Sequence, residues 1–299
     1  MCERKALMPK NLAELVDILK LTRRGELFVG APGNTYFQRT YGGQVLAQAL
    51  MASYATVDDQ RTAHSLHAYF LRAAKTSDSI DYSVENARDG GSFSVRRVVA
   101  QQDDGTSFIM AASFHKDESG LDHTEPQPTD VDPPEECPPI TEVMDERFGV
   151  SPIWHEWDCL DVRFAGDSST ATTNENRGKP QAWMRVWVRT VDTLPDSAPA
   201  RLHQAVLAYL SDMTLLSVSA LPHEVAFMST SLQAASLSHS MWFHRPCRVD
   251  RWLLYDMESP NAHASLGFST GRLFQDGSLI ASCAQEGLVR LVDGRQMLT

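Results

Sequence analysis

The chain has 299 residues, 42% of them hydrophobic and 22% charged, which supplies an ordinary globular core without disulfide or metal staples. Its net charge of -11 excludes a basic nucleic-acid footprint and disfavours anionic membranes. A phosphate-bearing ligand would therefore need a local basic patch.

The N-terminal stretch MCERKALMPK lacks the apolar core of a secretory signal. Residues 11–20 then carry Leu12, Leu15, Val16, Ile18 and Leu19 on one stripe, which predicts a short amphipathic helix. A strand is predicted over 23–30. Gly42-Gly43 opens an Ala-rich run to Val57 that is apolar on nearly every side, so a buried helix is expected. Strands follow over 64–71, 80–85, 93–101 and 107–114, punctuated by the hairpin signals Asp89-Gly90-Gly91 and Asp103-Asp104-Gly105. One buried helix and several antiparallel strands make an α+β unit, and a sheet wrapped around the helix would bury it.

Between Asp117 and Pro139 prolines and acids accumulate, which reads as an extended, solvated linker. The plan then repeats. Alternation of Ala182, Met184, Val186 and Val188 predicts a strand over 182–190, followed by an apolar helix over 202–219. Further strands are predicted over 236–243, 252–258, 265–273 and 279–288. At one constant offset His67 falls on His239, Asp104-Gly105 on Asp276-Gly277, and Ala112 on Ala284. Turn falls on turn and strand on strand, which points to an internal duplication whose sheets could pair edge to edge.

Five cysteines, Cys2, Cys137, Cys159, Cys247 and Cys283, are widely spaced with no C-x-x-C pair. That fits free thiols in a reducing compartment. No apolar run reaches membrane-spanning length, and Met297-Leu298-Thr299 is not a Ser-Lys-Leu type signal. A cytoplasmic protein with no membrane insertion is expected. There is no metal-spaced cluster, Walker loop or G-x-G-x-x-G, so neither metal nor cofactor is expected. Gly267-Phe268-Ser269-Thr270-Gly271 fits G-x-S-x-G but lacks the strand-turn-helix context and a later His.

Several segments carry a resemblance. His239-Ser240-Met241-Trp242-Phe243-His244-Arg245-Pro246 resembles the HSMWFHRP segment of the type II acyl-CoA thioesterases. Phe37 with Tyr41-Gly42-Gly43-Gln44 is similar to that family's FGGQ region. The segments 64–71 and 89–97, and Ala284-Gln285-Glu286-Gly287, match further family motifs. The resemblance implies a tandem double hotdog, with two antiparallel sheets each wrapped on a central helix. The repeats would span 1–118 and 156–299, joined by a linker over 119–155. It also implies hydrolysis of an acyl-CoA thioester by an activated water, with a homo-oligomeric enzyme and a peroxisomal location possible by family.

The family's catalytic Asp, Ser or Thr, and Gln fall on Asp212, Ser236 and Gln285. Asp212 lies in an apolar helix, where burial would raise its pKa toward that of a useful general base. The family's usual Asp two residues after the Ser is Ser238 here. That residue shares a face with Ser236 in a regular strand, so a carboxylate near the site would be missing. His64 and His67, three apart on a strand, should face opposite sides and act structurally. Arg96, Arg97, Arg245 and Arg248 are the candidate coenzyme A cations, because Arg binds phosphate bidentately. The alternatives are a hydrolase of carrier-bound or polyketide acyl thioesters and a non-catalytic acyl-CoA-binding double hotdog. The same offset gives Gln285 and Ser236 the first-repeat counterparts Ser113 and His64, so one working site per chain is expected.

Overall fold

A computed structural model describes residues 8–33, 35, 39–151, 156–172, 178, 180–223, 225–227 and 229–292. Phe37, Cys2 and the C-terminal tripeptide lie outside them. The elements, in chain order, are α1 (Leu12–Leu19), β1 (Thr22–Arg24), β2 (Leu27–Gly30), α2 (Gly42–Tyr54), β3 (Arg61–Phe70), β4 (Ile80–Asp89), β5 (Phe93–Gln102) and β6 (Gly105–Lys116). Then come α3 (Ile140–Phe148), β7 (Leu160–Asp167), β8 (Trp183–Thr190), α4 (Ala200–Ser211), a 3-10 segment (Leu215–His223), β9 (Leu232–Phe243), β10 (Leu253–His263), β11 (Leu266–Gln275) and β12 (Ser278–Leu291).

The strands form one antiparallel sheet of order β1-β2-β4-β5-β6-β3-β9-β12-β11-β10-β8-β7. Its two halves have the same order read inward from each edge, and β3 pairs with β9 where they meet. The chain is thus a tandem double hotdog of α+β class. Pairing the halves gives the edges of β3 and β9 their backbone partners. Within the concave face lie the two central helices. In α2, Val45, Leu46, Ala47, Ala49, Leu50 and Ala52 are all buried, as expected for a helix apolar on every side.

The duplication is real, but its register is one residue longer than the sequence match. Gln102 pairs with Gly105 across the first hairpin, and Gln275 with Ser278 across the second. Asp103-Asp104 therefore corresponds to Asp276-Gly277. Counterparts on the following strands shift accordingly: Gln285 matches Ala112, not Ser113, and Ser236 matches Ala63, not His64. Near-identical dipeptides at a turn drew the sequence alignment one step out of register.

Each repeat carries a β-bulge at the same place, between Ala63 and Ser65 in β3 and opposite Glu286/Gly287 in β9. A bulge inserts a residue and interrupts the two-residue alternation. His64 and His67 consequently lie together on the outer face instead of on opposite faces. His64 meets Ser113 at 2.8 Å, and His67 meets Ser240 at 3.0 Å.

The linker is extended but not simply solvated. It straps the outer face of the second repeat: Arg272 binds Glu125, Arg185 binds Asp130, and the Trp187 indole N–H donates to the Asp132 carbonyl at 2.9 Å. Cys137, Trp187, Leu254 and Phe274 form a small second core beneath it. The predicted helix over 202–219 also divides. The regular α-helix stops at Ser211, Asp212 caps it with φ -88° and ψ -5°, and the chain tightens into the 3-10 segment. The span 200–223 is apolar enough to cross a membrane by composition, yet 67% of its most apolar 18-residue stretch is buried inside the fold.

Candidate active site

Asp212 stands at the C-terminal end of α4, with its side chain 4% exposed. Ser236 comes from β9 and Gln285 from β12, neighbouring strands that present both side chains to the concave face. The Gln285 Nε2 donates to Asp212 Oδ1 and, at 2.9 Å, to the Ser236 hydroxyl oxygen. The Ser236 hydroxyl points at the same Oδ1 at 3.4 Å. Two residues far apart in sequence, Gln285 and Ser236, therefore converge on one oxygen of the Asp212 carboxylate. Burial pushes the Asp212 carboxyl up to about 6, against the pull of hydrogen bonds from Gln285, the Gly43 backbone N–H and Ser236.

The first repeat completes the site. Gly42 and Gly43 begin α2, and the N–H groups of a helix start are natural anion partners. A Cβ on Gly42 would lie 2.7 Å from Asp212 Oδ2 and 3.1 Å from the Phe70 ring. A Cβ on Gly43 would strike the Tyr209 carbonyl oxygen of α4 at 2.3 Å. The glycine pair thus lets two helices and a carboxylate meet. Its functional signal in the sequence was the pair itself, placed immediately before an apolar helix.

His239 is fully buried beside the carboxylate, with Nδ1 4.0 Å from Asp212 Oδ1 and Nε2 3.0 Å from the Ser211 hydroxyl. Burial pushes its pKa down to about 4, so it is neutral at physiological pH. In the sequence His239 stands out only as the first residue of the His239–Pro246 segment and as the offset match of His67. Its cross-strand pairing with Gln285 brings it to the site.

Ser238 is on the other side of the sheet. Its cross-strand partners are the exposed Glu286 and Tyr69, whereas Ser236 faces inward across the bulge. The departure at Ser238 thus lies away from Asp212. Ser269 of the G-x-S-x-G stretch sits mid-strand in β11, with no turn into a helix.

A cavity of about 890 Å³ opens onto Asp212 and Ser236. Arg39, Arg72 and Arg147 line it. None of the four arginines singled out in the sequence does. Arg96 is 2% exposed and bound to Thr56, Asp89 and backbone carbonyls. Arg97 pairs with Glu85, Arg245 with Asp122, and Arg248 with Asp196 and Asp250. Position in the motifs suggested a ligand contact, whereas each charge is directed to a carboxylate of the fold. Glu156, also in the cavity wall, is pushed up to about 7 by burial, with Arg39 opposing the shift. No group of metal-ligating side chains occurs among the described residues.

A double hotdog with a buried carboxylate, hydroxyl and amide at the junction of its repeats is the frame of a thioester hydrolase. Comparison with known proteins gives the family. Residues 159–288 match the acyl-CoA thioesterase family model, and residues 31–115 match the acyl-CoA thioesterase N-terminal domain. Acyl-CoA thioesterase 2 of Haemophilus influenzae is 33% identical over 95% of this chain and 99% of its own length. Human acyl-coenzyme A thioesterase 8 is 36% identical over 85% of this chain and 81% of its own. The crystal structure of the acyl-CoA thioesterase II TesB2 from Mycobacterium marinum superposes with a TM-score of 0.78 at 36% identity, covering 93% of this chain and 98% of that one. The chain belongs to the acyl-CoA thioesterase family and is a thioester hydrolase.

Proposed function

We propose that this enzyme hydrolyses acyl-CoA with Asp212 as general base and with Ser236 and Gln285 holding the base and the attacking water. The observation that carries the reading is the convergence of Gln285 and Ser236 on one oxygen of a buried carboxylate. Asp212 takes a proton from water as the water oxygen bonds to the thioester carbon. The tetrahedral intermediate then collapses, the C–S bond breaks, and the thiolate recovers the proton from Asp212. Acid and free coenzyme A result. The positive end of α2, in the space that Gly42 keeps open beside Oδ2, suits the developing oxyanion. Arg39 and Arg72 are the cavity-lining cations proposed to receive the phosphate end of the substrate.

Release of free thiol from a panel of straight-chain and branched acyl-CoAs tests the reading, run beside the same acyl groups on a carrier protein. Thiol release from coenzyme A esters that falls by about 10² or more in Asp212→Asn is expected. Folded protein silent on every coenzyme A ester would refute it, and activity confined to the carrier esters would move the substrate to a carrier arm. We further propose that the chain forms a homo-oligomer. The support is the exposed Tyr69, Phe93 and Trp242 on the outer face of the sheet, and a monomer mass by light scattering would refute it.

A further inference from the structure

The linker ends in an element that the hydrolytic chemistry does not use. Helix α3 carries Ile140, Val143, Met144 and Phe148 along one side and Glu142, Asp145 and Glu146 along another. Such a stripe normally marks a helix that packs into a core. Here none of the helix is fully buried, and Phe148 is 48% exposed. Ile140, Met144 and Phe148, one turn apart in succession, form part of the wall of the cavity that reaches Asp212. Leu160, Val162 and Met184 of β7 and β8 also line it.

The helix is fixed in place from both ends. At its start Pro139 bridges to Arg163, and the Phe164 N–H donates to the Pro138 carbonyl at 2.8 Å. At its end Arg147 donates to Asp167 Oδ2 at 2.7 Å and lies over the Phe164 ring, 4.7 Å from its centroid. Asp167 is itself held by Ser169 and Thr170. The one cation on the cavity side of α3 is thereby neutralised by a fully buried carboxylate, and Ile140, Met144 and Phe148 form the apolar part of the wall beside Thr141. An apolar wall on a clamped, peripheral helix can change size without disturbing the sheet or the carboxylate.

We infer that α3 sets the length of acyl chain accepted, its residues Ile140, Met144 and Phe148 forming the wall against which the tail of a straight-chain acyl-CoA packs. This rests on the acyl-CoA reading above. Each methylene that gains or loses room should change kcat/KM by about fourfold, the transfer free energy of one CH₂.

The test compares Met144→Ala, Met144→Trp and the outward-facing control Glu142→Ala. It measures kcat/KM from acetyl-CoA to stearoyl-CoA, and the affinity of non-hydrolysable thioether analogues of the same lengths. Met144→Ala should move the optimum to longer chains. Met144→Trp should move it to shorter ones. Glu142→Ala should change neither profile. Profiles that keep the parent shape in both Met144 variants, whether scaled or unchanged, overturn the inference. A parent enzyme silent on every thioester would refute the hydrolase reading alone, because the chain-length profile of analogue binding still decides the role of α3.

Discussion

The backbone N–H of Gly43 and the carboxylate of Asp212 meet across the two repeats, the first at the start of one central helix and the second at the end of the other. The site therefore belongs to neither repeat alone. Its geometry depends on Gly42, whose missing side chain leaves Oδ2 accessible. Gly42→Ala should displace the carboxylate or fill the space for the thioester carbonyl. A displacement near 1 Å can lower a rate by about 10². We expect kcat to fall by about that factor with little change in Tm, as read by steady-state kinetics and thermal melting. Unchanged kcat would show that the space beside Oδ2 is not where the carbonyl sits.

In the proposed mechanism Asp212 must be ionised to accept a proton from water. With its carboxyl at about 6, kcat/KM should rise as pH increases through 6 and level off above 7. Asp212→Asn keeps the shape and removes the base, so activity should fall by about 10² to 10⁴. The residual rate should lose the acid limb. A wild-type profile flat between pH 5 and pH 8 would count against Asp212 as the base.

The same burial affects stability in the opposite direction. The folded pKa of Asp212 lies above its ordinary 3.8, so the fold favours the protonated form. That contribution is present at low pH and is lost as pH rises through 6. At neutral pH the ionised carboxylate is destabilising by about 3 kcal/mol at most. Asp212→Asn, which does not titrate, should therefore gain in Tm relative to the parent as pH rises from 5 to 7. Thermal melts across that range check the trend, and a constant gap between the two proteins would contradict it.

Much of the fold was legible because its signals are local. The apolar α2, the hairpin turns and the strand alternation each leave a pattern within a dozen or so residues. What escaped depends on single-residue insertions and on distant partners. The bulges beside His64 and Leu237 shift facing by one step, and no residue type announces them. They placed the histidine pair on one face and turned Ser238 away from Asp212. Of the candidate site, Asp212, Ser236 and Gln285 came from motif resemblance, and the structure brings them together. The four arginines did not reach the cavity, because a charge's partner cannot be read from its own neighbourhood. The helix α3 escaped because six prolines nearby made the segment look structureless.

The corrected register separates residues that the sequence offset would equate with the site. His64 and Ser113 bond to each other on the outer face, while Gln285 is fully buried beside Asp212. His64→Ala and Ser113→Ala should leave kcat/KM within about twofold. Gln285→Ala should lower it by about 10² or more, comparable to losing one preorganised donor. Ser236→Ala should fall between, since its bond to Asp212 is the longer at 3.4 Å. A larger loss from His64→Ala than from Gln285→Ala would place the chemistry on the outer face.

Counted from the first residue of each central helix, the first-repeat counterpart of Asp212 is Tyr54. Its hydroxyl accepts the Ala63 N–H at 2.7 Å and donates to Gln204, whose amide in turn reaches the Ala63 carbonyl at 2.8 Å. Ala63 and Ala112 stand where Ser236 and Gln285 stand in the second repeat. The twin position thus holds a phenol whose pKa is raised by burial, and neither the hydroxyl nor the amide found beside Asp212. It ties β3 to α4 and has no base that ionises near neutrality. Tyr54→Phe should leave kcat nearly unchanged and leave the buried Ala63 N–H without its acceptor, at a cost of about 1–3 kcal/mol in stability. Calorimetry with a non-hydrolysable acyl-CoA analogue should then find one binding site per chain in both proteins. Two sites per chain, or a tenfold loss of kcat in Tyr54→Phe at unchanged Tm, would make the twin a working site.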